Sequence, residues 1–337
     1  MNLFPDIVGQ EKAKKKLAFL IEGHGSTGVM PHLMFVAPKG CGKTMIARAV
    51  AKNLLLKGGV KPKPFREVNC STLKTVAQFE ERILQDYMAL GKEVTFLFDE
   101  CSELPHELSM AFLTMLNPNK DNKNIFSYGE NNYLIDFSKQ SFMFATTESQ
   151  TVFHALMDRC ERIDLEEYTH ANLGEIVANS LQEIAFDEKT LKEVSTVLRG
   201  NARSAQKMAN HIRQYLTLRQ KNSFGEGEWK SLTDMMGISP LGLSPIEIQV
   251  LRVLSHTKIG CTLTNIAAKL GLTRSCIQRD FESYLQKLNL MEIVVGGRRL
   301  TMRGREYLRD LEPKPPAEQP KVVATWEANT PAIAKPC

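Results

Sequence analysis

No stretch of this 337-residue chain approaches the ~18 consecutive apolar residues that a bilayer-spanning helix needs. Its start, Met1-Asn2-Leu3-Phe4-Pro5-Asp6, has neither the basic residues nor the apolar run of a signal peptide. A membrane or secreted protein is therefore not expected. Seven cysteines are scattered without a C-x-x-C pair, which argues against both a zinc site and a disulfide framework. Reduced, packed thiols in a cytoplasm are the expectation. No internal repeat is present. With 43% hydrophobic and 24% charged residues the composition is that of an ordinary globular protein, and the length predicts two to three domains.

Net charge is lacking too, except in one place. Between Leu241 and Leu311 there are 11 Lys/Arg against 6 Asp/Glu, an excess equal to the +5 of the whole chain. All of the surplus positive charge thus lies in the C-terminal region, where an anionic polymer is the expected partner.

The most informative residues present are Ala37-Pro38-Lys39-Gly40-Cys41-Gly42-Lys43-Thr44, between the apolar run Leu33–Val36 and a helical pattern through Met45, Ile46, Ala49, Val50 and Leu54. A strand, a glycine loop and a helix start make the geometry that wraps a nucleoside triphosphate. Gly40 through Met45 are the candidate phosphate contacts. Lys43 reaches the β and γ phosphates, and the Thr44 hydroxyl goes to Mg²⁺. Ala37 stands where the motif has glycine, a departure of little consequence unless that φ must be positive.

Candidate strands at Leu33–Val36, Phe65–Asn69, Thr95–Phe98, Phe142–Ala145 and Arg162–Leu165 alternate with helical patterns, which predicts an α/β domain with a parallel sheet over residues 1–165. An all-α lid follows at 166–220, a linker at 221–240, a third unit at 241–311 and a disordered tail at 312–337. Asp99-Glu100 closes the third run. There Asp99 would hold Mg²⁺ through its water shell and Glu100 would deprotonate the attacking water. Thr147 follows the next strand. Arg159 ends a helix just before the last one, where an arginine is usually a solvated charge but in a ring ATPase can instead enter the neighbouring subunit's site. Arg203, in Arg199-Gly200-Asn201-Ala202-Arg203, starts a lid helix and would touch the γ-phosphate in its own chain.

In the third unit, Ser244-Pro245-Ile246-Glu247 opens a helix as a capping box. Two further helices, Leu263–Leu270 and Arg274–Leu288, are joined by Gly271-Leu272-Thr273, and Met291–Val295 turns through Gly296-Gly297 into Arg298–Thr301. That pattern is a winged helix. Arg274, Arg279, Arg298, Arg299, Arg303 and Arg305 are its candidate phosphate contacts, with low sequence specificity and steep salt dependence expected; the alternatives are a solvated charged face or a protein-docking surface.

Taken together these motifs resemble the AAA+ ATPases, and within them the RuvB-type branch-migration motors. The resemblance runs from Phe4-Pro5-Asp6-Ile7-Val8-Gly9-Gln10-Glu11 to the wing. It implies Ile7 and Val8 against adenine, Thr147 as first sensor, Arg159 as the finger acting in trans and Arg203 as second sensor. It also implies ATP and Mg²⁺ as cofactors, a homo-hexameric ring, DNA as substrate and a RuvA-type partner. Departures from the family pattern are Cys101-Ser102 after the carboxylate pair, Met157 and Cys160 around the finger, and Met302-Arg303-Gly304-Arg305 in place of Pro-Arg-Gly-Arg. The Asn-rich segment 117–140, where the family docks its partner, is polar, with flanks around Gly129-Glu130 able to pair as a hairpin. A clamp- or helicase-loader switch would need the same ATP site. A DNA-bound activator ATPase would carry a Gly-Ala-Phe-Thr-Gly-Ala loop, and none is present.

Overall fold

The protein, seen here as a computed structural model, is described for residues 2–257 and 259–312; the expected tail falls outside them apart from its first residue. Of the described residues, those up to Gly242 and those from Leu243 form separate compact units.

The first unit is built on strands β1 (Leu33–Val36), β2 (Phe65–Asn69), β3 (Val94–Asp99), β4 (Lys123–Tyr128), β5 (Asn131–Asp136), β6 (Gln140–Thr146) and β7 (Glu161–Asp164). Five of them make one parallel sheet in the order β2-β3-β6-β1-β7. These are the five runs expected, each within two residues of its predicted ends. The three central strands β1, β3 and β6 are legible because a strand covered on both faces has no polar side, so it reads as a continuous apolar run; the edge strands β2 and β7 are mostly exposed and carry only isolated apolar positions.

Side-chain alternation then divides the sheet into two cores. Phe96, Phe98, Phe142 and Phe144 point to one face, where they stack at 5.4–5.8 Å and meet Phe79 and Phe112. Leu97, Met143, Ala145, Leu33 and Phe35 point to the other, against helices Glu11–Thr27 and Lys43–Asn53. Burying each such phenylalanine contributes roughly 1.5–3 kcal/mol. The outcome is a rigid sheet whose carboxyl ends all open on one edge.

β4 and β5 pair antiparallel through Gly129-Glu130 as a hairpin beside the sheet. The lid follows, with helices His170–Ser180, Glu188–Thr196 and Ala202–Arg219. Residues 221–240 are not a linker. Phe224, Trp229 and Leu232 are buried in the lid core, the last two on helix Glu226–Met236, which starts where Glu228 accepts the Gly225 N–H at 3.1 Å. Gly225 and Gly227 hid a helix whose start, not interior, they occupy.

In the second unit the capping box forms, Glu247 accepting the Ser244 N–H at 2.7 Å and the Ser244 Oγ accepting the Glu247 N–H. Leu251, Leu254, Ile266, Ile277, Leu285 and Leu290 make its core. The helix starting at Arg274 contains a π-helical turn at Ile277–Glu282. Strands Met291–Val294 and Gly297–Leu300 pair as the wing.

Candidate active site

The loop after β1 runs into the helix Lys43–Asn53 through Gly40 and Gly42, at φ of 85° and 89°. No L side chain adopts these angles without strain, and a Cβ at Gly40 would collide with the Asn201 carboxamide. Ala37 keeps a negative φ, which is why alanine serves there. Lys43 is 7% exposed and its Nζ donates to the Ala37 and Pro38 carbonyls at 2.9 and 3.4 Å. Burial lowers its pKa, while Glu100 and Asp99 oppose the shift. A desolvated ammonium facing carboxylates and the N-terminus of a helix is poised for a polyanion.

β3 delivers the carboxylates to the same edge. Thr44 Oγ1 donates to Asp99 Oδ2 at 3.1 Å, and Asp99 Oδ1 accepts the Glu100 N–H at 3.0 Å. Glu100 has φ 54°, left-handed backbone that a non-glycine residue adopts rarely and that clusters at working sites. Its Oε2 accepts from Thr147 Oγ1 at 3.4 Å, which ties the end of β3 to the residue after β6.

These groups face a cleft of about 860 Å³ lined also by Ile7, Val8, Met45 and Arg203. Ile7 is buried in the core beneath it, and the Cys41 side chain is buried too, so any contact from Cys41 is through backbone. Sequence reasoning missed several neighbours. Tyr168 stands over Gly42, and Arg48 pairs with Glu67 at 2.5 Å across the cleft wall. Asn201 joins lid to loop: Nδ2 donates to the Lys39 carbonyl at 3.3 Å, and Oδ1 caps the Ala202–Arg219 helix through the Arg203 and Ser204 N–H groups. Asparagine is a favoured N-cap residue, but nothing local in the sequence marks its reach across 162 residues.

Arg159 does not line this cleft. It precedes β7, whereas the glycine loop follows β1, and the two strands run parallel. The length of a four-residue strand, about 13 Å, therefore separates the end of the sheet that Arg159 precedes from the end that carries the loop. Its Nη1 donates to Ala155 O at 2.9 Å and its Nη2 to Asn117 Oδ1 at 3.3 Å.

In the second unit, Arg274, Arg279, Arg303 and Arg305 are exposed. Arg299 is exposed and paired with Glu292 at 2.8 Å. Arg298 departs from expectation. It forms a bidentate pair with Glu282 at 3.0–3.2 Å, with the two side chains 16% and 6% exposed. A guanidinium so engaged pins the wing to the helix and is withdrawn from any phosphate.

The family model "ATPase family associated with various cellular activities (AAA)" matches residues 33–168, and "RuvB C-terminal winged helix domain" matches 240–309. The chain is 25% identical over 315 residues to the Holliday junction branch migration complex subunit RuvB of Campylobacter hominis, covering 90% of this chain and 88% of that protein. With the RuvB of Campylobacter fetus it shares 26% over 310 residues, 89% and 86% of the two. The Thermotoga maritima RuvB Holliday junction branch migration motor superimposes with a TM-score of 0.71 at 21% identity, covering 92% of this chain and 99% of that one, a likeness of fold.

Proposed function

The chain is an AAA+ ATPase of the RuvB type, and from that premise we propose that it is a homo-hexameric ring motor, acting in the cytoplasm, that moves duplex DNA at branched junctions. The observation that carries this reading is the split of the catalytic set. Loop, carboxylates and Arg203 share one cleft, whereas Arg159 lies outside it, before β7, and this supports an arginine that serves a neighbouring chain's nucleotide.

In the proposed reaction Ile7 and Val8 hold the adenine side of ATP, while the loop N–H groups and Lys43 bind its phosphates. Thr44 and Asp99, already hydrogen-bonded to each other, fit Mg²⁺, which takes few protein ligands and completes its shell with water and phosphate oxygens. When bound, the ion neutralises charge on the β and γ phosphates. Glu100 takes the proton from the attacking water, with Thr147 fixing the carboxylate. Arg203 and the neighbour's Arg159 stabilise charge developing on the γ-phosphoryl group. Gripping of DNA falls to Arg274, Arg279, Arg299, Arg303 and Arg305 through backbone phosphates. The β4–β5 hairpin, which exposes the cross-strand pair Ile125 and Leu134, is the surface offered to a RuvA-type partner.

A synthetic four-way junction tests the reading. ATP-dependent migration is expected, stimulated by a RuvA-type protein. Glu100→Gln is expected to bind ATP and migrate nothing. A wild-type protein that hydrolyses ATP without moving any junction, with or without that partner, defeats the proposal.

A further inference from the structure

The asparagine-rich stretch between β3 and β6 is folded into a knot that touches Arg159. Asn117, just beyond the end of helix His106–Met115, accepts from Arg159 Nη2 through its side-chain oxygen at 3.3 Å. Its own carbonyl accepts from Asn124 Nδ2 at 2.7 Å, and the same amide nitrogen reaches the Met115 carbonyl at 2.8 Å. Asn124 is the second residue of β4, paired with Ile135 in β5. Asn119 completes the knot by donating to the Asn124 side-chain oxygen and to the Lys123 carbonyl.

A guanidinium is planar and rigid, so two anchors on different nitrogens set its plane. Arg159 has these two: Ala155 O on the helix it ends, and Asn117 Oδ1 on another element. The first travels with the residue. Only the second refers the finger to the rest of the fold. The Arg159 Nε is buried with no partner, so no third bond competes in setting the plane.

We propose that Asn117 is a positioning residue for Arg159, orienting the guanidinium for the neighbouring chain's nucleotide, and that Asn124 makes that orientation follow the root of the β4–β5 hairpin. This rests on Arg159 acting in trans. Asn117 touches no substrate and acts only through the arginine.

Complementation in mixed rings of the full chain separates the two claims. Asn117→Ala chains are expected to bind a fluorescent ATP analogue within twofold of wild type and to hydrolyse ATP about tenfold more slowly, a smaller loss than the ~10³–10⁵ that removal of such a finger brings. Asn117→Asp, which keeps an acceptor oxygen, is expected to restore most of the rate. Mixing Asn117→Ala chains with Glu100→Gln chains sets intact sites against intact fingers, and single-turnover hydrolysis is expected to rise several-fold above that of either variant alone. A merely structural defect stays in its own chain and gives no such rise. Arg159→Ala mixed with Glu100→Gln is the control. If that control fails to complement, the trans finger itself is wrong. If it complements while Asn117→Ala does not, or if Asn117→Ala runs at the wild-type rate, the positioning role is overturned and the finger stands.

Discussion

His32 shows at the scale of one residue how a side chain outside the proposed catalytic set makes stability depend on pH. It precedes β1, packs edge-on against Phe137 and Phe142 at 4.8 and 5.7 Å, and its buried Nδ1 has no hydrogen-bond partner. Burial pushes its pKa down from 6.5 to about 4. The folded state therefore binds fewer protons than the unfolded chain between these values, and stability present above pH 6.5 drains away as pH falls toward 4. A shift of that size corresponds to about 3 kcal/mol in full, of which about 2 kcal/mol is lost by pH 5. For a unit of this size that is roughly 4–8 °C in melting temperature. His32→Phe, which keeps a ring between the two phenylalanines, is expected to lose correspondingly less between pH 7.5 and pH 5. Parallel melting curves for the two proteins across that range would show that His32 is not the group that titrates.

At the scale of elements, the wing shows a charge serving structure where the sequence suggests contact. Arg298 and Glu282 are largely buried and paired, and removing one partner strands the other, at about 3–5 kcal/mol for a buried pair. Arg298→Ala is expected to lower the melting point of the second unit without removing a phosphate contact. Arg303→Ala and Arg305→Ala, at exposed positions, are expected to leave melting unchanged and to reduce the slope of log K against log salt by about one each. A reversed pattern in melting and salt titrations would return Arg298 to the interface. The same pair marks the limit of what was readable. The three central sheet strands, the glycine loop, the carboxylate pair and the capping box were legible because each is a short-range pattern: a run buried on both faces, a fixed spacing, a cap three residues from its partner. Pairings set by tertiary approach left no such trace. Glu282 meets Arg298 across 16 residues, Asn117 meets Arg159 across 42, and Asn201 meets the glycine loop across 162. Residues 221–240 failed for a different reason. Two glycines and a polar start outweighed Phe224, Trp229 and Leu232, whose burial depends on lid helices formed earlier in the chain.

For the whole molecule, the proposed division of the catalytic set, with Arg159 outside the cleft that holds the loop and carboxylates, would make turnover a property of assembly. A lone chain carries loop, carboxylates and Arg203 in its cleft but holds Arg159 outside it, against Asn117. Its rate should lie below that of assembled chains by a large part of the ~10³–10⁵ associated with an arginine finger. Specific ATPase activity is therefore expected to climb with protein concentration and then level off, and Arg159→Ala is expected to stay on the low plateau throughout. Duplex DNA gathers chains along one polyanion through the basic second unit, so it should move the rise to lower protein concentration. Raising salt from 50 to 200 mM should undo that displacement, because phosphate contacts weaken steeply over this range. Salt acting on the DNA-dependent displacement while leaving the high plateau intact would separate recruitment from chemistry. A wild-type activity per chain that is constant from the most dilute to the most concentrated sample would mean that each chain completes its own site, and the place of Arg159 outside the cleft would need another explanation.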